Sequence, residues 1–134
     1  EALKLGANGV QMGTRFAASE ESGASQEFKE LYLRSGSDEV VLVKSPVGMP
    51  GRALKNAFWE KLDRGEVIEL DGCNGCLKHC TGDYCIMEAL ERARLGDMEN
   101  GLVFSGECVY KIREILPVKT IFQNLLQEIE ACPG

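Results

Sequence analysis

The stretch Gly9-Val10-Gln11-Met12-Gly13-Thr14-Arg15-Phe16 has the pattern of a short buried strand that stops at a glycine and enters a helix at Thr14. A backbone that turns in this way leaves unpaired N–H groups at the helix start, and these attract an anion such as a phosphate. Gly13 would let a ligand approach the backbone closely, and the Thr14 hydroxyl would add a donor. On these residues alone, the alternative is a glycine needed only for a tight turn.

The longer string from Gly6 to Phe16 closely resembles the last barrel strand of the nitronate monooxygenase (2-nitropropane dioxygenase) family, which includes the FMN-dependent enoyl-ACP reductase II enzymes. The resemblance implies a (β/α)8 barrel and an FMN cofactor, with Gln11, Gly13 and Thr14 contacting the FMN phosphate. In many such barrels the phosphate site lies after strands 7 and 8, against a short helix N-terminus. The family likeness therefore favours the phosphate interpretation over the simple turn.

A weaker resemblance continues through Gly48-Met49-Pro50-Gly51-Arg52, Asn56 and the C-terminal helices. It implies that Arg52 and Asn56 lie where a smaller domain meets the active-site mouth. An arginine there can hold an anionic group of a substrate or dinucleotide. The alternative is that Arg52 is a solvated residue in the first turn of a helix.

The chain is too short for a whole barrel, because it has 134 residues and a (β/α)8 barrel typically needs about 250. We therefore expect an α/β chain that is the C-terminal fragment of a TIM barrel. It would contain the last barrel strand and a mostly helical remainder, and it would begin inside a helix that stops at Gly6. Three parts are predicted: residues 1–36 as the last βα unit, 37–106 as a lid-like domain, and 107–134 as helices packing back on the barrel.

Apolar spacing and helix-capping residues predict the remaining elements. Strands are expected over 8–12 and 40–43, the second being buried on both faces or only a short extended segment. A loop is expected over 45–51, an extended piece over 67–70 and an apolar link over 101–106. Helices are expected over 14–19 (or a turn), 26–34 with Ser25 as its cap, 52–64 ending at Gly65, 84–95 ending at Gly96, 107–115 and 118–131.

Composition and charge narrow the classes of partner that this chain could bind. The formal net charge is −6, and Lys and Arg are scattered among Glu and Asp. This distribution argues against nucleic acid, and no apolar run reaches the length of a membrane span. Six cysteines without a secretory signal favour a reducing compartment, which we take to be the cytoplasm. The expected partner is a small-molecule substrate, with homo-oligomer formation as a way to cover apolar faces.

The second concentrated motif is Cys73-x2-Cys76-x3-Cys80-x4-Cys85. Thiolates at this density can converge on zinc or an iron–sulfur cluster, although the spacing matches neither common pattern. His79 is either a substitute ligand or a lone exposed histidine. The alternative is that the cysteines are free and buried as small apolar residues. The motif also supports a hypothesis from another class, a non-enzymatic metal-binding module.

The family resemblance implies an FMN-dependent oxidoreductase, and two reactions remain open. In one, alkyl nitronates are oxidised with oxygen; in the other, NAD(P)H reduces FMN and the flavin reduces an enoyl thioester. The family's catalytic histidine belongs to an earlier barrel strand, which has no equivalent here, so the catalytic residue is unknown. The isolated chain is therefore expected to be inactive.

Overall fold

The computed structural model describes residues 2–69, 72–73 and 75–131. Its regular elements are five helices and two strands, joined by three short 3-10 turns at Leu3–Leu5, Ser37–Glu39 and Val109–Lys111. In chain order they are α1 (Thr14–Ala17), α2 (Gln26–Arg34), β1 (Val40–Val43), β2 (Gly51–Leu54), α3 (Ala57–Asp63), α4 (Ile86–Leu95) and α5 (Val118–Glu130). Among the described residues, no helix is both long and apolar enough to span a membrane.

The two strands form an antiparallel hairpin in which Val40 pairs with Leu54 and Val43 with Gly51. The other side of β2 is covered by the 101–106 link, where Ala53 forms a bridge with Phe104. A Cβ added to Gly51 would collide with the Phe104 ring, so any larger residue there would force that ring to shift. The strand over 40–43 is confirmed, but it is not buried on both faces, since Leu42 is 71% exposed.

Strand alternation divides the interior into two hydrophobic clusters. Neighbouring side chains of β2 point to opposite faces, and the same holds in the link beside it. The first cluster contains Ala18, Leu31, Tyr32, Leu54, Ala93, Val103, Val109 and Ile112. The second contains Val43, Ala53, Phe58, Tyr84, Ala89 and Leu102. The first cluster draws on all three predicted parts of the chain, so these parts pack together here, while the predicted boundaries stay a prediction.

Several helix boundaries follow the predicted caps. The Ser25 hydroxyl accepts a hydrogen bond from the Phe28 N–H at 3.2 Å, and α2 begins there. α4 ends at Gly96, which adopts the left-handed conformation with φ of 101°. α5 was expected over 118–131 and is observed over Val118–Glu130. These predictions are confirmed, and they depend on local chemistry that the sequence displays directly.

Three predicted elements are wrong. Residues 8–12 form no strand, because no other described segment pairs with them. The predicted helix 52–64 begins only at Ala57, since 51–54 is taken by β2 and Asn56 caps the helix. The predicted helix 107–115 is reduced to the turn Val109–Lys111, where apolar residues recur every third position as in a 3-10 helix. The predicted extended piece 67–70 is not one of these three: residue 70 lies outside the described residues, and 67–69 have no regular secondary structure.

Candidate functional site

The turn at Gly13 opens α1 and carries the predicted phosphate segment. The carbonyl of Gly13 accepts hydrogen bonds from the N–H groups of Phe16 and Ala17, both at 3.0 Å. Among the described residues, no protein group accepts a hydrogen bond from the N–H groups of Gly13, Thr14 or Arg15. Helix starts regularly leave such groups for a cap or a ligand. Three donors in succession are therefore available to an anion.

The surroundings of this turn leave room for a ligand. Gly13 and Gln11 are exposed, and a Cβ added to Gly13 would meet no atom within 4 Å. The Thr14 hydroxyl accepts a hydrogen bond from the Gly106 N–H at 2.8 Å. Since a hydroxyl has one donor and two acceptor positions, its own hydrogen is still free to be donated. Thr14 is thus held in place and keeps its donor.

Arg15 does not point at this turn; it fastens α1 to the segment before α5. Its Nη2 donates to the carbonyls of Ala18 at 3.0 Å and Glu114 at 2.9 Å. Its Nε is buried and has no partner among the described residues. Burial lowers the guanidinium pKa, and the charge of Glu114 partly offsets that effect. The residue is therefore a structural tie rather than a surface arginine.

Arg52 lies in β2 and not in the first turn of a helix. Its carbonyl accepts a hydrogen bond from the Ser105 N–H at 2.9 Å. Its guanidinium is exposed and lies 3.6 Å from the Glu107 carboxylate. The segment 105–107 therefore touches both Arg52 and, through Gly106, the Thr14 hydroxyl. The structure brings the predicted phosphate segment and the predicted substrate-side arginine to the same short turn.

Sequence reasoning missed the 105–107 turn as part of this site. The only signal was Gly106, the glycine at the end of the apolar link. Glu107 adds a negative charge beside Arg52, although both side chains are largely exposed, and such pairs contribute little to stability. The Glu107 carboxylate is therefore a weakly held partner of the Arg52 guanidinium.

Asn56, the other substrate-side candidate, is used inside the fold. Its side-chain oxygen accepts a hydrogen bond from the Trp59 N–H at 2.9 Å and caps α3. Its amide nitrogen donates to the carbonyls of Met98 at 3.0 Å and Gly101 at 2.7 Å. Both amide hydrogens are thus occupied by backbone partners. Its contact with substrate stays a prediction. These hydrogen bonds show that Asn56 stabilises the fold by joining the start of α3 to the 98–101 segment.

The four clustered cysteines are all free thiols. Cys73, Cys76 and Cys80 are exposed and Cys85 is half-buried, so the expectation that they pack as buried apolar residues is wrong. Among the described residues, no three His, Cys, Asp or Glu side chains are grouped closely enough to hold a metal ion. His79, in the same segment, is exposed.

Comparison with known proteins decides the family. A sequence model for nitronate monooxygenase matches residues 1–128. The chain belongs to the nitronate monooxygenase family. A probable nitronate monooxygenase of Staphylococcus aureus strain JH9 is 29% identical over 133 residues, which is 95% of this chain. Another from Staphylococcus saprophyticus is 43% identical over 61 residues.

Solved structures agree with that assignment. FabK from Thermotoga maritima is 33% identical to this family member, with a TM-score of 0.77 over 97% of the chain. A mutant of the same protein gives a TM-score of 0.74 at 30% identity. The chain spans only 39% of FabK and 34% of the Staphylococcus aureus relative. It therefore corresponds to a little over one third of these proteins.

Proposed function

We propose that this chain is part of an FMN-dependent oxidoreductase of the nitronate monooxygenase type. The parent protein would be a (β/α)8 barrel in the cytoplasm, with residues 1–36 supplying the last βα unit. Residues 37–106 would form the smaller lid-like part, and 107–134 would pack back on the barrel. Family membership over residues 1–128 supports this assignment. So does the partial coverage of the relatives, because a single chain segment of this size cannot close a barrel.

The observation that carries the proposal is the set of N–H groups at Gly13, Thr14 and Arg15, which have no acceptor among the described residues. α1 has only four residues, so its dipole is small and the donors themselves must supply the attraction. Together with the Thr14 hydroxyl, they fit the tail phosphate of FMN. Gly13 leaves open space where that phosphate would approach. The residues present thus agree with the cofactor that the family resemblance implies.

The division of work between cofactor and protein follows from this fit. When bound, FMN would supply the redox chemistry. The donors at residues 13–15 would hold and orient its phosphate, with the exposed Gln11 beside them. Arg52 would attract an anionic group of the substrate or of a dinucleotide. The proton-transfer group would come from the rest of the parent protein, so this chain alone would be inactive.

The second candidate reaction is that of an NAD(P)H-dependent enoyl-ACP reductase II, the type to which FabK belongs. The likeness to FabK over 97% of the chain favours it. Assays of the full-length protein separate the two reactions. Oxygen uptake with an alkyl nitronate and no nicotinamide supports the monooxygenase. NAD(P)H oxidation that depends on an enoyl thioester supports the reductase.

The phosphate site is tested by Gly13→Asp in the full-length protein that contains this chain. A carboxylate at this position would face the phosphate and occupy the open space, so FMN affinity should fall at least about tenfold. FMN released on denaturation and measured by absorbance gives the occupancy. Gly23→Asp is the matched control, because Gly23 is also exposed with open space around its added Cβ. Equal FMN content in both variants, or a full-length protein without flavin, would contradict the proposal.

A further inference from the structure

The cysteine motif lies in a long segment that the proposed flavin function leaves unexplained. We define residues 69–85 as the cysteine loop. Its described residues form neither helix nor strand. Loops longer than about 12–15 residues without secondary structure are uncommon in compact domains and are usually functional or disordered. The loop therefore needs an explanation of its own.

Both ends of the cysteine loop are fixed to the core. The Ile68 N–H donates to the Asp83 carbonyl at 3.4 Å, which closes the base of the loop. Next to it, Tyr84 is buried, and its hydroxyl donates to the Lys44 carbonyl at 3.1 Å. The Tyr84 ring packs edge-on against Phe58, with centroids 5.6 Å apart. The loop thus starts and ends at defined positions.

The exposure of the thiols is unusual. Free cysteine is among the most buried residue types, yet Cys73, Cys76 and Cys80 are all exposed. Packing in the core cannot account for three exposed cysteines so close together. Ligation by a metal ion can, because thiolates gathered around one ion supply binding energy that stabilises the folded loop.

Two of the four thiols already border the same space. Cys73 and Cys85, the ends of the motif, line one cleft together with Glu88 and Leu90 of α4. Cys85 immediately precedes α4 and is held by it. Gly75, with φ of 60°, turns the chain between Cys73 and Cys76. No three of these side chains are grouped in the described structure, so ligation would draw Cys76 and Cys80 towards Cys73 and Cys85.

We propose that Cys73, Cys76, Cys80 and Cys85 bind one structural Zn²⁺ as four thiolates. Each thiol releases its proton to solvent on ligation, and no oxidation state changes. Four protein ligands at about 2.3 Å complete a tetrahedral shell and leave no open position for a substrate. The ion would hold the loop against the start of α4. None of its ligands belongs to the flavin segment, so the zinc site does not depend on the proposed function.

Zinc titration tests the ligand set. The reduced chain should bind one equivalent of Zn²⁺, and Co²⁺ in its place should give the visible absorption of a tetrahedral thiolate site. Cys76→Ser and Cys80→Ser should each weaken Zn²⁺ binding at least about 100-fold. Cys108→Ser is the matched control, because Cys108 is also exposed and lies outside the loop. His79→Ala should likewise leave the affinity unchanged, since the proposed shell contains sulfur alone.

Alkylation protection gives a readout that needs no variant. N-ethylmaleimide labelling followed by peptide mass spectrometry should show the four loop cysteines protected by Zn²⁺ and labelled after chelation. Cys108 in the same molecule should be labelled in both conditions. Equal labelling of the loop cysteines with and without Zn²⁺ would overturn the proposal. A purified protein that shows the absorption of an iron–sulfur cluster at about 400 nm and contains no zinc would also overturn it.

Discussion

The region around Asn56 and the region around Gly13 both resemble the family sequence, but their hydrogen bonding is opposite. Asn56 makes three side-chain hydrogen bonds, one to the start of α3 and two to the carbonyls of Met98 and Gly101. At Gly13, three successive N–H groups have no acceptor among the described residues. The side-chain amide of Asn56 therefore has all its partners within the protein, whereas the N–H groups at Gly13 still lack an acceptor among the described residues.

This difference separates two reasons why a residue matches a family pattern. A polar group that folding has already satisfied can match because the fold needs it. A donor that folding leaves unsatisfied and accessible has capacity for a ligand. Sequence likeness alone treats both as site residues. Substitutions at Asn56 should therefore act on stability, and substitutions at Gly13 should act on binding.

The largest effect is expected for Asn56→Ala. The substitution removes the cap of α3 and leaves two backbone carbonyls without their donor, which should lower the free energy of unfolding by about 3 to 4 kcal/mol. Urea denaturation followed by circular dichroism measures the change. Lys55→Ala is the control, because Lys55 is exposed and the substitution keeps the hydrogen bond from its backbone N–H to the Glu39 carbonyl. A loss below 1 kcal/mol would show that Asn56 is free for another role.

A second test in the same region is Gly101→Ala. The added Cβ would collide with the backbone of Ala93 and with the Asp97 carbonyl. Because backbone atoms of α4 cannot move aside cheaply, we expect a loss of about 2 to 3 kcal/mol. The same denaturation experiment measures it. An unchanged unfolding midpoint would mean that the packing between α4 and the link is looser than these contacts indicate.

The sequence predicted well those elements that are decided locally. Ser25, Gly96 and the apolar stripe of α5 are all visible within a few residues of the element they define. Asn56 could have been recognised as a helix cap in the same way. The apolar spacing instead predicts a helix over 52–64 that includes it, because Leu54 continues the spacing of α3. Leu54 is buried for a different reason, its pairing in β2.

Elements that depend on distant partners could not be predicted in this way. The strand over 8–12 needs neighbours that no described segment of this chain supplies. The connection of Thr14 to Gly106 joins residues 92 positions apart in the sequence, so no local pattern reports it. The family motif predicts the Gly13 turn, whereas its link to Arg52 through 105–107 is visible only in the folded structure.

The packed region should also show a pH dependence. Burial raises the pKa of Tyr84 to about 12, and the nearby Asp83 contributes in the same direction. The phenol of the unfolded chain ionises at about pH 10, so the contribution of neutral Tyr84 to stability is fully present below that pH. It should then fall as the pH rises from about 10 to about 12. Denaturation midpoints between pH 8 and 12 measure this slope.

Tyr84→Phe should flatten part of that slope. The variant loses its bond to the Lys44 carbonyl at every pH, so the diagnostic quantity is the slope and not the absolute stability. Burial also raises the pKa of Tyr32, and the remaining slope should disappear in the double variant with Tyr32→Phe. A slope identical to that of the parent chain in both variants would assign the alkaline transition to other groups.

The smallest effect on folding is expected for Gly13→Ala, and for that reason it sharpens the comparison most. The added methyl group meets open space and the backbone there has negative φ, so the free energy of unfolding should change by no more than about 0.5 kcal/mol. In the full-length protein the same methyl group would stand where a phosphate approaches, and FMN affinity should fall. Gly101→Ala adds the same methyl group but should have the opposite result. It should cause a large loss of stability, and it makes no direct contact with the predicted phosphate segment. If Gly13→Ala destabilised the chain as much as Gly101→Ala does, the glycine would be serving the turn alone. The N–H groups beside it would then no longer be evidence for a phosphate site.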